Sequence, residues 1–238
     1  MAGAFVQGVS TTASMTSTQT PALQFTTQNT GPGNMLIVGI QIFNNPAATL
    51  SSVSDTDGGG TWVVLPGVLQ APPNYNIYFA YKFGTNGGTK PTITCHLSAS
   101  ASVSLMEIGE ISGVNTLRNA NSAAFSTTTS PVSPSIVTMS GDFLIGWLGL
   151  NAAETLTSLT AGSGFTIGET AGSSGTVVFN AFEYGTAAGN SATAGWGLLI
   201  TQSGGAGIAA FYQASAGGGG NESWLGIGLN NGLRGVRH

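Results

Sequence analysis

Charge is the first thing this chain is short of. Lys, Arg, Asp and Glu make up 6% of its 238 residues, against roughly 25% in ordinary soluble domains. Five basic residues and nine acidic ones leave no electrostatic footprint for a phosphate backbone or an anionic lipid surface, so nucleic-acid and membrane binding are disfavoured. The one cysteine, Cys95, excludes an internal disulfide, and the two histidines, His96 and His238, offer no metal-ligand spacing with it for zinc. No apolar run is long enough to span a bilayer as a helix. Met1-Ala-Gly-Ala-Phe-Val-Gln has no basic segment leading a long apolar stretch, so no secretory signal is expected within this numbering.

Where charge is missing, Ser, Thr, Asn and 37 glycines take the polar positions. Disordered chains are charged and poor in β-branched and aromatic residues; this chain is the reverse and should fold. Its apolar residues alternate with period two between turn signals that recur about every 8 to 15 residues, which predicts an all-β sandwich or barrel. Met35-Leu-Ile-Val-Gly-Ile-Gln-Ile-Phe is apolar at nearly every position and reads as a central strand covered on both faces. Leu50 to Ser54 and Thr61-Trp-Val-Val-Leu-Pro, flanking Asp55-Thr-Asp57-Gly-Gly-Gly, read as a hairpin. Val103 to Ile111 reads as a strand of mixed character, with Glu107 and Glu110 on opposite faces.

One segment occurs twice. Ile77-Tyr-Phe-Ala-Tyr-Lys-Phe-Gly-Thr85 returns as Val178-Phe-Asn-Ala-Phe-Glu-Tyr-Gly-Thr186, and Gly33-Asn-Met-Leu-Ile precedes the first copy as Gly141-Asp-Phe-Leu-Ile precedes the second. The expected architecture is a jelly-roll-like antiparallel β-sandwich with an internally duplicated half. Residues 21–215 form a single domain with repeat halves near 33–112 and 141–215. Residues 1–20 read as edge strands or an N-terminal arm, and 216–238 as a Gly-rich hinge and C-terminal arm.

Catalytic chemistry finds little support. Cys95 and His96 are neighbours in a strand and point to opposite faces, which excludes a dyad between them; Cys95 reads as a buried structural thiol. Glu107 and Glu110 face apart and so make a poor glycosidase pair. Asp55 and Asp57 are a weak calcium candidate that lacks the further ligands of a calcium loop, and Asx residues stabilise turns without metal. No cofactor is expected. Tyr75, in a Pro-Asn loop, and Trp224, beside the glycine hinge, are the aromatic candidates for stacking on a glycan. Trp224, Arg234, Arg237 and His238 are the candidate assembly arm.

Leu50-Ser-Ser-Val-Ser-Asp-Thr-Asp-Gly-Gly-Gly-Thr-Trp, Tyr78-Phe-Ala-Tyr-Lys, Thr92-Ile-Thr-Cys, Met106-Glu-Ile-Gly-Glu-Ile-Ser-Gly-Val and Ala161-Gly-Ser-Gly-Phe-Thr resemble a loosely defined group of β-sandwich domains. That group occurs in phage structural proteins and bacterial secreted proteins. The resemblance runs from about Phe5 to Tyr212; it implies a jelly-roll-like sandwich and carries no catalytic residues. With no secretory signal expected, it points to the phage members. The expectation is a non-enzymatic virion protein, a head decoration, head fibre or tail-associated subunit, made in the host cytoplasm and later exposed outside it. It would form a homo-oligomer and contact other virion proteins. The alternatives are a carbohydrate- or receptor-binding module recognising a host-surface glycan, and a secreted adhesion or filament protein.

Overall fold

The run from Met35 to Phe43 dictates a layered structure. Strand side chains alternate between faces, so a strand apolar on both needs cover on both. In the computed structural model eight successive residues, Met35 to Ile42, are buried. Met35 and Ile37 point into one core, and Leu36, Val38, Ile40 and Ile42 into another. The structure describes residues 3–11, 15–43, 48–70, 75–172 and 177–214.

The first half contains β1 (Ala4–Ser10), β2 (Met15–Thr18), β3 (Ala22–Gln24), β4 (Met35–Phe43), β5 (Leu50–Asp55), β6 (Trp62–Val64), β7 (Val68–Gln70), β8 (Tyr75–Lys82), β9 (Thr92–Leu97) and β10 (Ala101–Ser112). The second contains β11 (Thr116–Thr128), β12 (Ile136–Val137), β13 (Phe143–Thr155), β14 (Thr160–Ala161), β15 (Phe165–Ala171), β16 (Val177–Thr186), β17 (Ser191–Ala192), β18 (Trp196–Gly197) and β19 (Gln202–Tyr212). Among the described residues the only helical element is a single 3₁₀ turn, Leu156–Ser158.

The duplication is one of topology. The first large sheet runs β1-β10-β4-β8-β6, with β2 added to β10 and β7 to β8; the second runs β11-β19-β13-β16-β15, the same order strand for strand. Each carries an outer layer: β3-β9-β5 on the first, and the ribbons β12-β17 and β14-β18 on the second. The two large sheets then stack face to face. β4 lies against β16 and, on exchanging the halves, β8 lies against β13, so the halves are related by a local twofold. Three cores result: one under each outer layer, and one between the large sheets. The shared core expected of a single sandwich is thus present, and each half adds its own.

Several sequence expectations change. The halves begin earlier than the repeat implied, because β1 and β11 are equivalent edge strands. Residues 4–10 and 15–18 are therefore part of the first sheet rather than an arm. The expected hairpin around Asp55 is absent: β5 pairs with β9 in the outer layer, whereas β6 pairs with β8 in the large sheet. The glycine-rich turn is a corner between layers. The sheet register also moves the repeat by two residues. Leu36 and Trp62 both pair with Lys82, and their counterparts Leu144 and Phe165 both pair with Gly185. Phe79 and Tyr81 thus correspond to Phe182 and Tyr184. A shift of two preserves every side chain's face, which is why the sequence repeat still identified the right strands.

At the centre of the shared core, Phe79 stacks on Trp147 with centroids 4.5 Å apart and meets Phe182 edge-on at 5.8 Å. Phe79 is 1% exposed and Phe182 is fully buried. Removing a buried phenyl ring forfeits its burial and leaves a cavity. Phe79→Ala is expected to reduce the unfolding free energy by about 3–5 kcal/mol, measured by urea denaturation.

Candidate functional site

Asp55 and Asp57 close the corner after β5. Asp55 accepts the backbone N–H of Asp57 at 2.8 Å and of Gly58 at 3.1 Å, and the indole N–H of Trp62 at 2.6 Å. Asp57 accepts the backbone N–H of Asn86 at 2.7 Å and of Gly87 at 3.0 Å, with the Thr30 and Thr89 hydroxyls at 3.3 Å. Lys82 Nζ, on a side chain 1% exposed, lies 2.8 Å from Asp55 and 3.9 Å from Asp57, and donates to the Gly58 carbonyl. Both carboxylates have protein donors and a counter-charge, so the loop is a clasp closed by Lys82. Removing one partner of a buried ion pair leaves the other charge uncompensated. Lys82→Met should therefore lower stability by about 3–5 kcal/mol, while calcium or chelator leaves the wild-type denaturation midpoint unmoved.

Tyr75 is not a loop aromatic. It opens β8, is fully buried in the shared core and donates its hydroxyl to the Ser203 carbonyl at 3.2 Å, so it cannot present a ring to a glycan. Burial pushes its phenol well above the usual range. Cys95 is fully buried with its thiol pushed up by burial, and His96 points the other way, 2.7 Å from Ser54 Oγ. Trp224, Arg234, Arg237 and His238 lie outside the described residues.

Glu107 and Glu110 do face apart, and both are buried. Glu110 is satisfied by Gln7 Nε2 at 2.6 Å, Gly31 N at 2.7 Å and Asn34 Nδ2 at 2.6 Å. Glu107 is different. It points into the shared core, where its Oε2 has no hydrogen-bond partner. It pairs with Gly39 on β4, at the place where the second half pairs Trp147 with Gly207. A Cβ on Gly39 would lie 2.8 Å from the Phe182 ring and 2.9 Å from Glu107 Oε1. Phe182 therefore packs onto Gly39 and Glu107 as Phe79 packs onto Trp147, and a carboxyl occupies the position of an indole.

A second carboxyl approaches from the other half. Glu169 on β15 fills the space that a side chain on Gly8 of β1 would need, and accepts a hydrogen bond from Ser10, the residue paired with Glu107. Burial first, then the neighbouring Glu169, pushes Glu107 well above the carboxylate range; burial also raises Glu169 against the Ser10 hydrogen bond. The basic groups of the described residues are engaged elsewhere: Lys82 with Asp55, Lys90 with the Thr26 carbonyl, Arg118 with Asp142. Two carboxyls, one buried and one half-buried, without a counter-ion cannot both ionise cheaply, so both are pushed up, by burial first. Sequence reading missed Glu169; glycine inside a strand, as at Gly8 and Gly39, is the signal of close approach that could have led to it.

Burial extends to nearly every acid. Asp57, Glu107, Glu110, Asp142, Glu154 and Glu183 are buried, and Asp55 and Glu169 are half-buried. Glu183 accepts the backbone N–H of Gly162 and Gly195, each at 3.0 Å; burial outweighs these bonds and lifts its carboxyl to about 7. Glu154, by contrast, is pushed up by burial but held below the usual range overall by Ser158, Thr155, Ile200 and Leu199. Two clefts open at the margins of the stacked sheets. One of about 190 Å³ is lined by Leu65, Gly67, Ser122 and Trp147; the other, of about 420 Å³, is lined by Phe5, Phe143, Thr166 and Tyr184. The Tyr184 ring already stacks on Phe5 at 4.8 Å and Phe143 at 6.2 Å.

Comparison with protein-family models, with curated proteins and with solved structures finds no match for this chain.

The raised carboxyls fix a sign for pH dependence. A carboxyl whose folded pKa exceeds its unfolded value binds more protons when folded, so stability falls as pH rises from the unfolded value through the folded one. For Glu183 that window runs from 4.5 to about 7, and Glu107 and Glu169 extend the loss in the same direction. Wild type should therefore unfold at a higher temperature in mild acid than at neutral pH, and Glu107→Gln should flatten that dependence.

Proposed function

We propose that the protein is a non-enzymatic structural component of a phage particle that acts by assembling with copies of itself and with other virion proteins. The observation that carries this reading is where the charge has gone. Among the described residues no Asp or Glu is exposed, and Lys90 is the one exposed Lys or Arg. Ionic groups hold the layers together from inside, and the outside is Ser, Thr, Asn, Gly and scattered apolar residues. Such a surface forms interfaces without desolvating charge.

The fold supports the same reading. Numbering the eight principal strands of the first half in order, from β1, β3, β4 and β5 to β6, β8, β9 and β10, gives 1-8-3-6-5 in the large sheet and 2-7-4 in the outer layer. That order supports reading each half as jelly-roll-like, an architecture that capsid and lectin domains use. No helix among the described residues is long and apolar enough to cross a membrane. The edge strand β11 caps its own backbone: Asn119 Oδ1 accepts the N–H of Ala120 at 2.8 Å, and Asn121 Oδ1 that of Ser122 at 2.9 Å. That spends donors a foreign strand would use and leaves side-chain surfaces as the means of association. A glycan-binding reading loses Tyr75 to the core.

An interface poor in charge is little screened by salt. Light scattering on the purified chain should give one defined oligomer whose mass is unchanged between about 0.1 M and 1 M salt, and mass spectrometry should find the chain in purified particles. A monomer at every concentration, absent from particles, would overturn the reading.

A further inference from the structure

The local twofold supplies an internal control for the outer surface, because each half covers its own core with an equivalent layer. On the first half the outward residues of β5 and β9 are Ser51, Ser52, Ser54, Thr92, Thr94 and His96, while Val53, Ile93, Cys95 and Leu97 face in. On the second half the chain from 129 to 138 runs antiparallel to 190–198. It is held by Leu198 N to Thr129 O at 2.8 Å, Trp196 N to Pro131 O at 3.0 Å and Thr138 N to Asn190 O at 3.0 Å. Ile136, Ala194, Trp196 and Leu198 face the core. Along this ribbon, however, Val132, Val137, Met139, Leu199 and Ile200 stand at least half exposed. The equivalent layer of one half is hydroxylated, and that of the other carries an apolar ribbon.

The ribbon is held rigidly. Glu154, 2% exposed, accepts the N–H groups of Leu199 at 3.1 Å and Ile200 at 3.4 Å together with the Ser158 hydroxyl at 2.8 Å. A buried carboxylate thus fixes a turn whose side chains face solvent. At the far end, Met139 N donates to Asp142 at 2.7 Å, Asp142 pairs with Arg118, and Arg118 lies 4.3 Å over the Tyr212 ring. Two residues later the chain is tied down again, Ala214 N donating to Asn115 Oδ1 at 2.8 Å. The chain therefore leaves the described structure beside the Met139 end of the ribbon.

Twenty-four residues follow, 215–238. After Ser215 and Ala216 come four glycines, 217–220, and then Trp224, Leu225, Ile227 and Leu229 interspersed with Gly226 and Gly228. An extended chain covers about 3.3–3.6 Å per residue, so the ten residues from Ser215 to Trp224 reach roughly 35 Å. The ribbon, some ten residues in length from Val132 through Met139 and back to Leu199, measures about 33 Å at strand rise. Exposed apolar residues aligned along one ribbon mark an interaction site, and the tail has the composition and reach to follow it. We infer that the ribbon bearing Val132, Val137, Met139, Leu199 and Ile200 is the docking site for the tail segment Trp224–Leu229. Resting on the assembly reading, the segment is donated by a neighbouring copy.

The test uses the full chain with a photo-crosslinking amino acid in place of Ile227, mixing isotopically heavy and light copies, alongside light scattering of Val137→Ser/Leu199→Ser. Both substituted positions are solvent-facing, so the variant is expected to keep its cores, which its circular dichroism spectrum checks. Heavy-to-light crosslinks onto 129–139 or 196–200, with the oligomer dissociating at least tenfold more readily in the variant, are expected. Crosslinks confined to one copy would overturn the donation between copies and leave the docking site. An oligomer indifferent to the double substitution, with crosslinks elsewhere, would overturn the inference while the assembly reading stood. A monomeric chain without crosslinks to the ribbon would overturn both.

Discussion

Everything in this molecule depends on the face-to-face packing of its two large sheets. Phe79 of the first half lies on Trp147 of the second, and Phe182 of the second lies on Gly39 and Glu107 of the first. Sheets buried on both faces cannot alternate apolar with polar residues, so β4, β8 and much of β13 are apolar almost throughout. Their outer faces then require further cover, which the outer layers provide. Four layers and three cores follow from that one contact.

The same contact explains where the ionic groups sit. A chain with so little charge places most of it where strands, corners and halves meet: Lys82 with Asp55 and Asp57 at the corner after β5, Glu110 holding the 31–34 turn, Glu183 holding the turns at 162 and 195, and Glu107 with Glu169 at the junction of the halves. Buried polar groups of this kind are destabilising unless satisfied. Most of these are, through backbone N–H donors. Glu107 is the exception, and it sits where the local twofold would place an indole. The departure from symmetry falls on a titratable group between the halves.

Burying the acids also empties the surface of charge. Among the described residues, the apolar ribbon of the second half has no counterpart on the outer layer of the first. The two halves therefore differ both at Glu107 in their shared core and in what their outer layers turn outward.

Fold class, the central strands and the existence of two related halves are legible from local pattern alone, because strand periodicity and turn glycines are properties written residue by residue. Local pattern also placed Cys95 and His96 on opposite faces, since alternation alone decides that. It could not decide pairing. Leu50-Ser-Ser-Val and Trp62-Val-Val look like two arms of a hairpin, and only the layered structure puts them in different sheets. Tyr75 looked exposed beside its prolines, yet β8 begins there and carries it into the core. Glu107 and Glu169 are 62 residues apart in the chain, and no local pattern links them. Their meeting needs the halves to stack with Gly8 and Gly39 making room, and that is a property of the tertiary structure alone.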